Sequence, residues 1–227
     1  MLIRLLIESD KTRFYSLARY ALSEAIKISN VKEGDTVLIP EYICREIIGS
    51  IKENHANVLY YKVNLNLSPL DPPDKWPRAQ VVLAVNYFGF PQDLNPFKTY
   101  SELTGAVIIE DNAHGFLSKD GAGVWLGLRT QIGIFSLRKT FCLPDGSSIV
   151  VNDDHLHHNL AKQLPFTGKG FSRLIEIKCK IKHLPLFGIY LFRLLVFLIR
   201  SIRKIRTGYS LPVSVDIDQY VIPYQPN

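Results

Sequence analysis

Short apolar, β-branched runs recur through the first 151 residues with room for a helix or a long turn between them. They are Thr36 to Ile39, Val58 to Val63, Val81 to Val85, Ala106 to Ile109, Ile132 to Phe135 and Ser148 to Val151. Ala106 to Ile109 and Ile132 to Phe135, short and without polar alternation, read as strands covered on both faces. Strand alternating with helix predicts an α/β fold built on a mostly parallel sheet. Phe14, Leu17, Ala18, Ala21, Leu22, Ala25 and Ile26 share one helical face, and Gly34-Asp35 closes the turn that follows. Cys44 to Glu53 reads as helix or turn, and Leu67 to Pro73 as a loop. With 47% hydrophobic and 21% charged residues the chain has ample core material, which excludes a disordered protein.

The parallel strands give the chemistry an address, because open α/β sheets place ligands beyond the carboxyl ends of their strands. Asp111 closes one such run in Val107-Ile108-Ile109-Glu110-Asp111-Asn112-Ala113-His114. Ser136 and Lys139 follow the next, in Phe135-Ser136-Leu137-Arg138-Lys139-Thr140, and Asp145-Gly146-Ser147 leads into a third. A lysine beside a carbonyl cofactor forms a Schiff base and later moves protons. A carboxylate opposite a pyridine nitrogen keeps that nitrogen protonated and makes the ring an electron sink. Taken singly, Asp111 reads as a loop cap and Lys139 as a solvated lysine. Taken in order at strand ends, they are the parts that hold pyridoxal phosphate.

The run from Gly34-Asp35-Thr36-Val37-Leu38-Ile39-Pro40 through Val82-Leu83-Ala84-Val85-Asn86-Tyr87-Phe88-Gly89, Glu110 to His114, Phe135 to Lys139 and Asp145-Gly146-Ser147 resembles the DegT/DnrJ/StrS-type sugar aminotransferases. The similarity spans roughly Arg19 to Asp153. The resemblance implies a three-layer fold-type I large domain with pyridoxal 5'-phosphate as cofactor. It implies that Lys139 carries the cofactor, Asp111 pairs with its pyridinium nitrogen, His114 sits near its phenolic oxygen and Ser136 contacts its phosphate. Backbone amides at Ala18 and Arg19 would complete the phosphate site at a helix N-terminus, and Cys44 stands where an aromatic ring usually stacks on the cofactor. The implied reaction passes an amino group from an amino acid, glutamate by resemblance, to a nucleotide-linked keto-sugar in surface polysaccharide biosynthesis. A homodimer is the matching assembly. A truncated, non-catalytic binding or dimerisation module is the alternative.

The chain departs from the family pattern at several positions. Ala18 replaces a turn glycine and would be strained if that turn needs φ > 0. Ser147 replaces the second glycine after the lysine, and Ser136 stands two residues closer to Lys139 than is usual. Family members also carry a C-terminal small domain. The expected division here is a large domain over 1–160, a basic and apolar helical segment over 161–210, and a linker over 211–227, as in a fragment or truncated homologue.

Between Lys162 and Arg206, eleven Lys/Arg face one acidic residue, Glu176. Arg193, Arg200 and Lys204 share a helical face opposite Leu191, Leu195, Leu198 and Ile202. Either this helix covers the sheet or a subunit partner, or residues 178–206 make weak contact with an anionic membrane surface. Nucleic acid is not expected, since no recognition motif interleaves the charge.

Other features are read as structural. Cys44, Cys142 and Cys179 are odd in number and far apart, which suggests neither a disulfide framework nor a zinc site and fits a reducing, cytoplasmic setting. No metal is expected at His155, His157 and His158, whose spacing suits the start of a surface helix. Met1 to Ile7 is too brief for a signal peptide and reads as an edge strand or a packing helix.

Overall fold

The computed structural model describes residues 2–141, 143, 145–165 and 187–207. Seven strands form one sheet: β1 (Thr12–Tyr15), β2 (Thr36–Pro40), β3 (Asn57–Tyr61), β4 (Val81–Val85), β5 (Val107–Asn112), β6 (Ile132–Phe135) and β7 (Ser147–Val151). Their order is β1-β7-β6-β5-β4-β2-β3. The pairs from β3 to β6 are parallel, and β7 runs antiparallel to both β6 and β1. All six runs read from the sequence are strands, with ends shifted by a few residues: β3 stops at Tyr61, and Val63 makes only an isolated bridge to Pro69.

Residue alternation along these strands builds a core on each face. Val37, Ile39, Val81, Leu83, Val85, Ile109, Ile134 and Ile149 point to one side. There they meet α2 (Ala18–Ile28) and α3 (Glu46–Glu53) through Leu22, Ile26, Ile47 and Ile51. Leu22 and Ile26 are fully buried, and each contributes roughly 1.5–3 kcal/mol. Leu38, Val82, Ala84 and Ile108 point the other way, against Phe97 and Tyr100 of α4 (Asn95–Thr104) and against Trp76. α1 (Leu2–Glu8) adds Leu2 and Leu6 to Phe135 and Val150. The result is the three-layer α/β architecture expected.

Of the two readings of the N-terminal run, the structure takes the packing helix, with α1 over Leu2–Glu8. Phe14 differs from the sequence reading, since it lies in β1 and not on the face of α2. β1 escapes the helical period because its only partner is β7, whose Ser147 lies opposite Tyr15.

Beneath the carboxyl end of β5 lies a buried ion pair. Glu110, with no exposed side-chain surface, accepts 2.8 and 2.6 Å bonds from the Arg129 Nε and Nη2, and Arg129 is 10% exposed. Asn86 joins them, its amide donating to Glu110 at 2.8 Å and its Oδ1 accepting from Arg129 at 3.0 Å. Removing Glu110 leaves the buried Arg129 with the longer 3.7 Å contact to Asp120 in place of its close partner, and removing Arg129 leaves a buried carboxylate without its cation. Glu110→Ala should therefore lower unfolding free energy by about 3–5 kcal/mol, measured by urea denaturation, whereas Glu110→Leu with Arg129→Met should recover most of that loss.

Candidate active site

The carboxyl ends of β2, β4, β5 and β6 open onto one cleft of about 600 Å³ on the α2 side of the sheet. All seven residues singled out in the sequence line it: Ala18 and Arg19 from the start of α2, Cys44 after β2, Asp111 on β5, His114 beyond it, and Ser136 and Lys139 after β6. Lys139 stands on a single helical turn, α5 (Leu137–Thr140), rather than on the strand itself. Its side chain is exposed, and its amide donates to the Ser136 carbonyl at 3.2 Å.

Asp111 continues the alternation of Ile109 and so emerges on the α2 face, between Val85 and Ile134 of its neighbours. Its carboxylate accepts from the Ala113 amide at 2.9 Å. Although some of its surface reaches solvent, surrounding protein dominates, and this burial pushes the carboxyl above its ordinary 3.8. The Ala113 bond and the charges of Lys139 and His114 pull the other way without reversing it. His114 is held below 6.5 by burial and by Lys139, so it is neutral at pH 7. Its ring stacks on Phe88 at 6.1 Å between centroids with 7° between planes.

Two polar atoms of the lining have no hydrogen-bond partner among the described residues: Ser136 Oγ and Arg19 Nε, both buried. Ser136 is the N-cap of α5, yet its hydroxyl makes no capping bond. The opposite wall is the start of α2, where Leu17 caps without a side-chain bond and the first amides have no intrahelical acceptor. Ala18 is the first residue of that helix and is absent from the positive-φ residues, so the strain expected of a glycine replacement does not arise. A glycine is required instead at Gly146, whose φ is 131°. Gly146 donates to the Ser16 carbonyl at 2.7 Å and accepts from the Arg138 amide at 3.2 Å, tying the approach to α2 to α5. Ser147 also has a local reason, since its hydroxyl donates to the Tyr15 carbonyl at 3.0 Å and joins β7 to β1.

The sequence reading assigned no role to Tyr87. Burial and Asp111 hold its phenol protonated, and it donates to the Tyr42 carbonyl at 2.7 Å, closing one rim of the cleft. Cys44 is exposed, and burial of its thiol together with Asp111 keeps that thiol protonated. The signal for Tyr87 was its position just past β4, the same address as Asp111 and Ser136. Asp153 caps α6 (Asp154–His157) by accepting from the His155 amide at 2.7 Å, in keeping with a surface helix there.

A sheet of this order, with its cleft beyond the parallel strands, defines the large domain of fold-type I pyridoxal phosphate enzymes. The chain belongs, more narrowly, to the DegT/DnrJ/EryC1/StrS aminotransferase family, whose sequence model matches residues 17–178. Solved structures share the fold. The aminotransferase TlmJ from Streptoalloteichus hindustanus superimposes with a TM-score of 0.58 at 18% identity, over 88% of this chain and 59% of that one. The sugar aminotransferase CalS13 from Micromonospora echinospora gives 0.58 at 19%, over 70% and 46%. The E. coli GDP-4-keto-6-deoxy-D-mannose-3-dehydratase, solved with bound hydrated PLP, gives 0.59 at 17%, over 69% and 43%. The chain therefore spans less than two thirds of the length of each.

Proposed function

We propose that this chain is the cofactor-binding domain of a sugar aminotransferase that takes an amino group from glutamate and delivers it to a nucleotide-linked keto-sugar. The observation that carries this reading is the convergence of Lys139, Asp111, His114 and Ser136 with the start of α2 on one cleft. Pyridoxal phosphate is the cofactor of the family and suits the lining. The unpartnered Ser136 Oγ and Arg19 Nε, with the first amides of α2, offer donors to a phosphate. Among the described residues the Asp111 carboxylate forms no ion pair, although the charges of Lys139 and His114 reach it, and a protonated pyridine nitrogen would give it a direct partner.

When bound, the cofactor offers an aldehyde that condenses with amines and a ring that withdraws electrons from the carbon bearing them. The chain's own groups do the rest. Lys139 would hold the cofactor through its amine, and the same amine, when free, would carry a proton to or from the substrate α-carbon. Asp111 holds the proton on the pyridine nitrogen. Neutral His114 would face the cofactor's phenolic oxygen, and Cys44 with the Tyr42–Tyr87 rim would limit water on one side.

Two relatives support the substrate classes. A GDP-4-keto-6-deoxymannose-3-dehydratase of this fold was trapped with a PLP-glutamate geminal diamine, and DesI was crystallised in the presence of its TDP-sugar product. Surface polysaccharide assembly, a dimer and a cytoplasmic setting belong to the same proposal. Glutamate added to the cofactor-loaded protein should move the visible cofactor band to the near ultraviolet, and a nucleotide-linked keto-sugar should restore it. A band that no glutamate concentration moves overturns aminotransfer and leaves a cofactor-binding module.

A further inference from the structure

The cleft does not account for α7 (Gly188–Thr207), a helix of 20 residues. No other described element packs extensively against it. Most of its described large apolar residues face solvent: Tyr190 is 68% exposed, Phe197 65% and Ile205 85%, with Leu191, Leu194, Leu198 and Ile202 also exposed, while Phe192, Leu195 and Val196 are half-buried. Exposed apolar surface on this scale marks an interaction site.

We infer that α7 is an interfacial anchor that lies flat on an anionic lipid surface. By the 100° step of an α-helix, apolar positions from Phe197 through Leu194, Leu198, Leu191 and Leu195 to Phe192 cover more than half of the circumference. The arc is broken by Ser201 and, in the last turn, by Arg206. It is wider than a two-helix seam needs. The face across from it carries Arg193, which is exposed, and the same period places Arg200 and Lys204 there. The helix contains no Asp or Glu. A second copy or a protein partner would have to bring every carboxylate that these cations require, while an anionic bilayer supplies both the negative field and the apolar layer. The helix does not cross that layer, since no described helix is long and apolar enough to do so. Phe197 and Tyr190 lie where the apolar arc meets the basic face, at the depth where aromatic rings settle in an interface.

The test is flotation of the full chain with vesicles of phosphatidylglycerol and phosphatidylcholine, beside vesicles of phosphatidylcholine alone. The protein should float with the anionic vesicles at low salt and leave them at about 1 M salt, where the screening length falls to about 3 Å. Arg193→Gln should weaken partitioning about fivefold, and Leu194→Asp with Leu198→Asp by more than about tenfold. Both variants should keep the wild-type unfolding midpoint and cofactor uptake, which separates lipid binding from folding and from the catalytic proposal. Failure to float at low salt overturns the inference, as does equal flotation with neutral vesicles. An oligomer that the double variant dissociates, in a protein that ignores lipid, would assign α7 to a second copy instead.

Discussion

Lys139→Ala should abolish covalent capture of pyridoxal phosphate. After borohydride reduction, the wild-type peptide containing Lys139 should carry the cofactor mass and the variant none. Among the residues that line the cleft Lys139 is the only lysine, and the other cations, Arg19 and Arg138, carry guanidinium groups, which do not condense with aldehydes as an amine does. Glutamate turnover should fall by about 10⁴-fold, the upper end of the range for a positioned proton-transfer group. Because Lys139 is exposed on a one-turn helix, its truncation should change stability by no more than about 0.5 kcal/mol. The phosphate donors at Ser136 and α2 remain, so the variant should still bind the cofactor reversibly, with the spectrum of the free aldehyde. A wild-type protein that stays colourless in excess cofactor sinks the functional proposal. A Lys139→Ala protein still fixed by borohydride would move the anchor elsewhere.

The sheet was legible because its central strands are short, β-branched and buried on both faces, a pattern that leaves little choice of structure. The site was legible for a related reason: parallel strands deliver their last residues to one edge, so Asp111 and Ser136 could be assigned to a common address before any contact was known. Local period says nothing about β1, whose pairing with β7 spans most of the domain, and Phe14 fell into step with the helical stripe that really begins at Leu17. Lys139 was placed at a strand end, but the chain turns once more at α5, with Gly146 stapled to Ser16 and Arg138. That staple involves a φ of 131° and two distant carbonyl and amide partners, and neither leaves a mark in hydrophobic pattern. Glu110 looked like a neighbour of the important carboxylate. The structure makes it the buried anchor of Arg129 and Asn86, a role set by residues 19 and 24 positions away.

Asp111→Asn should separate function from stability in opposite directions. Burial raises the folded-state pKa of Asp111 above its ordinary 3.8, so the folded protein without cofactor holds this proton more tightly than the unfolded chain does. The sign follows from linkage: stability from this group is complete below 3.8 and is lost as pH rises through the raised folded value. Asparagine keeps an oxygen for the Ala113 amide and carries no charge to bury. Without cofactor the variant should thus melt above wild type at pH 7, by roughly 2–4 °C for each kcal/mol relieved in a chain of this size. The gap should close as pH falls towards 3.8. Cofactor reverses the order, because its protonated ring nitrogen gives the wild-type carboxylate a partner that asparagine cannot hold in the charged form. Glutamate turnover in the variant should drop by at least about 10²-fold, as for removal of one preorganised electrostatic contact. Calorimetry with and without pyridoxal phosphate reads both halves. An asparagine variant that melts below wild type in the absence of cofactor would show that Asp111 is held by the protein for its own stability, and would remove the reason for assigning it to the pyridine nitrogen.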